Sequence, residues 1–448
     1  MPGFFLECEG KRLDGQRSLG ALRKRLEKAG VAPGTTLAAL AGDRLQDLLL
    51  VLLCASLKMR LAILDPALPE AWRRALLEAA GARHLIREPL SPAAAGRSES
   101  WPGADELKGM RLLLATSGST GEPRLVELSG ANLLAGAGAA NRLLGLRRGD
   151  RWLACLPTHH VGGVAILFRC LLAGAGLVLH RRFRAGAVLE ALYQRSITHL
   201  SLVPTMLERL LARDPGFRPP ASLRVVLLGG APAAPDLVEE ALARGWPVCP
   251  SYGLTEAASQ VATCHPPPGR WTVGLAGRPL DHLQVRTDDE GRILIRGPSV
   301  ARHWLDARGR HPLTDAEGWL HTRDLGRLDG EGRLVVLGRE DDLLISGGEK
   351  IHPASLEGEL RRCPGIEEVA VTGVPDPRWG TRLLACYRGP WEEPAVAQWA
   401  ATELAGPYKP KEFRRLDRLP RNAMGKLLRR KLQRICETEE RRSAGLDG

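Results

Sequence analysis

The sequence predicts an α/β protein whose later part turns antiparallel and whose end forms a small α+β unit. Three observations predict this. Short apolar runs at 112–115, 152–155, 177–180, 199–203 and 225–228 alternate with stretches of helical periodicity. Continuous apolar runs between helices are what parallel strands covered on both faces require. After about Gly274 the runs shorten (Val285, 293–296, 334–337) and turn pairs such as Asp329-Gly330 and Glu331-Gly332 separate them, the pattern of antiparallel hairpins. From Asp341 to the end, a further α+β segment is long enough to form its own lobe.

The elements follow in order. Leu19, Leu22 and Leu26 sit at helical spacing, and 48–57 reads as a buried helix. A loop rich in Ala, Ser, Gly and Pro at 91–105 separates the first α/β unit from the second. The stretch 161–179 is almost wholly apolar, yet it contains Arg169 and is broken by Gly174 and Gly176. A buried helix followed by a core strand is expected there, not a membrane span. No internal repeat is present.

A chain of 448 residues is too long for one core, so two or more domains of roughly 100–200 residues are expected. Its 44% hydrophobic and 25% charged content excludes disorder of the whole chain. A net charge of +12 suits anionic partners: nucleic acid, a membrane surface or phosphate-bearing small molecules. The arginines are scattered, densest at 429–434 and 181–184, so much of the excess reads as soluble surface. The nine cysteines stand apart with no C-x-x-C pair, which argues against a zinc ribbon or disulfide framework and fits a reducing cytosol. The acidic N-terminus lacks the layout of a signal peptide.

Four segments carry chemistry. Thr116-Ser117-Gly118-Ser119-Thr120-Gly121-Glu122-Pro123-Arg124 follows directly on a predicted strand. Its glycines let backbone N–H groups curl around an anion, and its hydroxyls add donors. It is not a Walker A loop, and alone it is as readily a polar turn. Ser251-Tyr252-Gly253-Leu254-Thr255-Glu256 places a hydroxyl and a carboxylate at a strand end, where phosphate and Mg²⁺ could meet them. Alone, Thr-Glu is more often a helix N-cap with an acidic first turn. In 318–324 and 338–342, Asp324 can accept both hydroxyls of a ribose and Arg339 can brace the sugar; charged surface turns are the alternative. Arg421-Asn422-Ala423-Met424-Gly425-Lys426 offers a lysine before a basic helix, a setting in which lysine is usually solvated.

Together, in this order, the four segments resemble the adenylate-forming superfamily of acyl-CoA synthetases, adenylation domains and luciferases, over about 40–432. The resemblance implies a large N-terminal AMP-binding domain (1–340) of layered sheets and helices with a β-barrel-like subdomain, and a small mobile C-terminal domain (341–448). It implies ATP, Mg²⁺ and coenzyme A as ligands. Thr116, Ser117, Gly118, Ser119, Thr120 and Gly121 would bind the phosphates of ATP. Gly229, Gly230 and Ala231 would line the adenine, Tyr252 would stack on it, and Asp324 and Arg339 would hold the ribose. Thr255 would contact the α-phosphate, Glu256 would hold Mg²⁺, and Lys426 would bridge the carboxylate and the α-phosphate. Asp341 would be the hinge, and Gly347 and Gly348 would let the CoA arm pass. A homodimer, no nucleic-acid partner, no integral membrane segment and a cytoplasmic location are also implied.

Within that superfamily, 254–263, 156–163 and 346–353 are similar to segments of the o-succinylbenzoate–CoA ligases of menaquinone biosynthesis. The implied substrate has one carboxylate that reacts and one that must be held. His160, Ser259 and Gln260 are candidates for holding it, with Gly162, Gly163 and Ala258 leaving room for the ring; His160 also stands among the catalytic candidates. Arg124 stands where the family commonly has Lys, Ala257 replaces a Thr, and His159 replaces an aromatic residue. A ligase for another aryl or medium-chain acid, or acyl transfer to a carrier protein, stays open.

Overall fold

Alternate residues of the central strands enter different cores, which is why these strands read as unbroken apolar runs. In strand Arg111–Ser117, Leu112 and Leu114 enter one core and Leu113 another. In strand Arg151–Ala154, Trp152 and Ala154 enter that same first core and Leu153 a third. The two strands belong to different sheets that share the first core. The computed structural model describes residues 3–87, 101–117, 123–265, 271–346, 349–376, 379–404, 409–421 and 427–443.

The smaller of these sheets has seven strands, ordered Gly309–Pro312, His303–Asp306, Pro123–Ser129, Arg111–Ser117, Arg60–Leu64, Thr36–Leu40 and His84–Ile86. The larger has thirteen. Val248–Leu254, Val225–Leu228, His199–Leu202, Arg151–Ala154, Gly176–Leu179 and Phe5–Cys8 lie parallel, and Lys11–Arg12 closes that edge antiparallel. Beyond Val248–Leu254 the sheet turns antiparallel through Ser259–Thr263, Leu275–Pro279, Leu334–Arg339, Leu320–Leu328, Arg292–Arg296 and Gln284–Thr287. This wing has its own core around Val261, Ile293, Ile295, Leu320 and Leu334.

Helices Arg44–Ser56, Gly130–Leu144 and Val161–Ala173 fill the layer between the sheets. A helix covered on both sides must be apolar all round, and 48–57 and, apart from Arg169, 161–173 are. The first begins at Arg44, four residues before the expected start, because the Asp43 side chain caps it by accepting from the Leu45 N–H. The second ends where expected, at left-handed Gly174. Outside the larger sheet lie Ala185–Gln194, Pro204–Arg213 and Pro235–Ala243.

Some elements differ from expectation. The loop expected at 91–105 lies partly outside the described residues, and helix Ala104–Gly109 takes up its end. Strand Phe5–Cys8 was not expected; it joins the larger sheet beside Gly176–Leu179. The hairpin His303–Pro312 leaves the antiparallel wing and pairs with Pro123–Ser129 in the other sheet, tying the two together. Among the described residues no helix is long and apolar enough to cross a membrane, and all nine cysteines are buried thiols.

The C-terminal unit is a three-stranded sheet of Glu368–Asp376, Gly380–Arg388 and Glu412–Arg415. Helices Pro353–Leu360 and Glu393–Glu403 cover one face and Arg429–Ser443 the other. Arg429 fastens the last helix by a fork to the buried Glu357 carboxylate (2.6 and 2.9 Å) and a bond to the Val371 carbonyl (2.9 Å). Arg429→Ala should therefore strand a buried charge and cost this unit about 3 kcal/mol. Urea unfolding followed by tryptophan fluorescence would show a lowered midpoint, partly restored in Arg429→Lys.

Candidate active site

Strands buried on both faces can present polar groups only at their ends, and several of the chemical segments follow the carboxyl ends of such strands. Arg111–Ser117 runs into the hydroxyl-rich loop. Gly118, Ser119, Thr120 and Gly121 lie outside the described residues, as do Gly347, Gly348 and Lys426; for Ser117 only the backbone is described. Arg151–Ala154 leads to 155–160, Val225–Leu228 to Gly229, Gly230 and Ala231, and Val248–Leu254 to Thr255 and Glu256. Such strand ends are where ligands bind in open α/β sheets.

The glycines after Val225–Leu228 have separate reasons. A Cβ on Gly229 would lie 2.7 Å from Oγ of Ser251, which donates to the Leu228 carbonyl at 2.9 Å. Gly230 has φ +82°, which favours glycine. Strand Val248–Leu254 then carries Tyr252, whose hydroxyl donates to Asp324 Oδ2 at 2.5 Å. Asp324 and Arg339 are cross-strand partners, and the guanidinium donates to Asp324 Oδ1 at 3.3 Å. Two motifs that look like separate turns in the sequence are thus one pair on adjacent strands. Burial and the Asp324 charge hold the Tyr252 phenol well above its usual pKa, so it stays a donor. Arg339 also reaches Asp341 (3.3 Å), which Arg323 holds from the other side, while Asp342 pairs with Arg429 at 3.4 Å.

Thr255 and Glu256 form a short 3₁₀ turn, Thr255–Ala257. Arg124, from the other sheet, donates to Glu256 Oε1 at 3.1 Å and to Thr116 Oγ1 at 3.4 Å. Glu256 thus already holds a cation. Among the described residues no three His, Cys, Asp or Glu side chains cluster as a metal site. One carboxylate completed by phosphate oxygens is nevertheless how Mg²⁺ is commonly bound, and Glu256 fits that role.

After the turn, Ala258 (φ +54°) and Ser259 (φ +101°) adopt backbone conformations unusual for non-glycine residues. Strand Ser259–Thr263 then pairs back with Val248–Leu254. Gln260 is buried and internally engaged: its carbonyl accepts from Arg169 (3.1 Å) and its amide donates to Thr263 Oγ1 (2.6 Å). Arg169, on helix Val161–Ala173, also donates to Ser259 Oγ at 3.4 Å. The guanidinium is 2% exposed, lies 5.2 Å from the Trp152 ring centre, and has no carboxylate partner among the described residues. Its Nε is without a partner there as well. Burial lowers its pKa to about 10, which leaves it cationic at neutral pH.

His160 caps the start of that helix with its ring 4.4 Å from His159. Burial, then the neighbouring His159, pushes its pKa down to about 4. It is therefore a neutral donor or acceptor, not a second cation. Gly163 is needed by the loop itself, because a Cβ there would sit 2.1 Å from the Pro157 carbonyl; Gly162 has room. Thr158, also buried, donates to the wholly buried Asp47 at 2.5 Å and fixes the same loop to the central helix layer. Sequence reasoning missed Arg169 and Asp47. The first was visible as a lone charge in an apolar helix; the second carried no signal.

Comparisons with known proteins agree with this geometry. The family model described as AMP-binding enzyme matches 100–305, and that of the AMP-binding enzyme C-terminal domain matches 355–426. A 2-succinylbenzoate–CoA ligase of Bacillus licheniformis is 36% identical over 91% of each chain. One of Bacillus subtilis is 38% identical over 72% of this chain and 68% of its own. Among solved structures, the o-succinylbenzoate CoA synthetase of Bacillus subtilis with the acyl-adenylate OSB-AMP superposes with a TM-score of 0.81 at 31% identity, covering 96% of this chain and 94% of that one. Its complex with ATP and magnesium ion gives 0.80 at 31% identity over 95% and 96%. With relatives this similar across nearly its whole length, the chain belongs to the AMP-binding family of adenylate-forming enzymes.

Proposed function

We propose that this chain is a 2-succinylbenzoate–CoA ligase acting in menaquinone biosynthesis. It joins the substrate carboxylate to AMP with release of pyrophosphate, then passes the acyl group to the thiol of coenzyme A and releases AMP. The observation that carries the choice of acid is Arg169, a buried cation without a carboxylate partner among the described residues. Leaving a charge buried and unpaired is costly, and a dicarboxylic substrate brings the missing anion. Ser259 and Gln260 hold the guanidinium in place, and neutral His160, at the other end of the helix, would offer the substrate a hydrogen bond.

The remaining roles are part of the same reading. Gly229, Gly230, Ala231 and Tyr252 take the adenine, Asp324 and Arg339 the ribose, and Thr116 to Gly121 the phosphates. Thr255 meets the α-phosphate. Magnesium at Glu256 would offset the charge of the phosphates and of pyrophosphate as it leaves. A carboxylate attacking an anionic phosphorus needs positive charge at the developing transition state, which Lys426 supplies. Residues 341–448 turn about Asp341 between the two half-reactions, and Gly347 and Gly348 line the path of the thiol. The reading carries with it a cytoplasmic homodimer, which sedimentation of the purified protein would check.

With ATP, Mg²⁺ and coenzyme A, 2-succinylbenzoate should give its CoA thioester; pyrophosphate exchange with benzoate or a fatty acid and none with 2-succinylbenzoate would reject this acid. Arg169→Gln should raise the KM for the diacid about 100-fold, in line with loss of a buried charge pair, and leave the KM for ATP unchanged. An analogue lacking the non-reacting carboxylate should not distinguish the variant from wild type. Lys426→Ala should slow pyrophosphate exchange about 100-fold or more.

His160 makes a separate prediction about pH. Its folded pKa, about 4, lies below the ordinary 6.5, so the unfolded chain binds the proton more readily. The stability it contributes is complete above pH 6.5 and is lost as pH falls toward 4. His160→Asn should lose less over that window, by roughly 2 kcal/mol, in denaturation curves taken at pH 7 and pH 4.5.

A further inference from the structure

Arg124 occupies an unusual position. It sits at the base of the hydroxyl-rich loop, directly across the ladder from Thr116, so its backbone is fixed while its side chain is free to choose partners. It is part-buried, with its guanidinium carbon 5.3 Å from the Trp304 ring centre. Its Nε reaches Thr116 Oγ1 at 3.4 Å, and its far arm pairs with Glu256 of the other sheet, 132 residues away in sequence, at 3.1 Å. Glu256 itself is largely covered, with 14% of its side chain exposed.

We propose that Arg124 is the resident counter-cation of Glu256, holding that carboxylate until nucleotide phosphates draw the guanidinium away. A divalent ion then enters together with the nucleotide and not before it. The physical reasons are on the page. A bare carboxylate in a part-buried crevice is poorly solvated, and a guanidinium compensates it by a charge-assisted bond. A divalent ion approaching this pair meets a like charge and a carboxylate already engaged. Magnesium, which sheds its water reluctantly, gains little there. The polyphosphate of ATP offers the guanidinium more negative charge than Glu256 does, and bidentate geometry suits arginine. Transfer of Arg124 to the phosphates frees Glu256 at the moment when phosphate oxygens can complete the ion's shell. Arg124 acts on the metal through Glu256 and is a positioning residue in that sense.

This inference rests on the reading of Glu256 as the metal ligand, and the test separates the two. Manganese(II) binding to the full chain is measured by EPR, first without nucleotide and then with ATP, in wild type, Arg124→Gln, Arg124→Lys and Glu256→Gln. Without nucleotide, Arg124→Gln should bind manganese about tenfold more tightly than wild type, and Arg124→Lys should stay close to wild type. In EDTA, Arg124→Gln should bind ATP about tenfold more weakly, because the cation that follows the phosphates is gone. If Glu256→Gln keeps its ATP-dependent manganese, Glu256 is not the ligand and both readings fall. If Glu256→Gln loses it but Arg124→Gln gains no metal affinity, or binds metal-free ATP as wild type does, the counter-cation proposal falls alone.

Discussion

A strand covered on both faces by helices can accept almost nothing polar along its length, and this constraint arranges the rest of the molecule. Leu112 to Leu114, Trp152 to Ala154 and Val225 to Leu228 are committed to three separate cores. Hydroxyls, carboxylates and flexible glycines are therefore pushed to the strand ends. Because the parallel strands of the larger sheet point the same way, their ends form one rim. The seven-stranded sheet, sharing the middle helix layer, brings its own rim opposite, and the Arg124–Glu256 pair spans the gap between them.

Charge in that crevice is nearly all matched inside the protein. Asp324 is shared between Tyr252 and Arg339, Asp341 between Arg323 and Arg339, and Glu256 is held by Arg124. Matched pairs of this kind avoid the full cost of isolated charges in a poorly solvated place. Arg169 breaks the pattern, being deeper than any of them and, among the described residues, bonded only to neutral oxygens of Ser259 and Gln260. In the proposed reading the exception would discriminate among acids, since a monocarboxylic substrate spends its only carboxylate on phosphorus and has nothing left for a buried guanidinium.

Much of this was legible from the residues, and the part that was not has a physical reason. Strand 225–228 and helix 161–173 stand where their apolar runs placed them, because double burial writes itself into every position. The Asp324 and Arg339 segments were legible as chemistry but not as neighbours, since cross-strand pairing is a long-range fact. Strand Phe5–Cys8 is short and was hidden for the same reason: its partner, Gly176–Leu179, is far along the chain. Arg169 was read only as evidence against a membrane span. What it faces depends on a strand 90 residues later, which no local pattern reports. Gln260, expected as a donor for the substrate, gives one of its amide hydrogens to Thr263.

One short hairpin draws the proposed nucleotide and acid sites into a single geometry. Strand Val248–Leu254 offers Tyr252 to the ribose pair, the turn Thr255–Ala257 offers Thr255 and Glu256 to the phosphate side, and Ser259–Thr263 offers Ser259 and Gln260 to Arg169. Moving the returning strand by one residue would reverse its faces and send Gln260 away from Arg169. The two positive-φ residues at the bend, Ala258 and Ser259, set that register at some cost in backbone strain. The cost is local, and the surrounding contacts hold it: Gly253 opposite Gln260 and Leu254 opposite Ser259 in the ladder, and the Arg169 bonds beneath. Under the proposed assignment, adenine, phosphate and acid would be spaced by one hairpin, so the carboxylate that is to react and the phosphorus it is to attack would be placed by the same few residues.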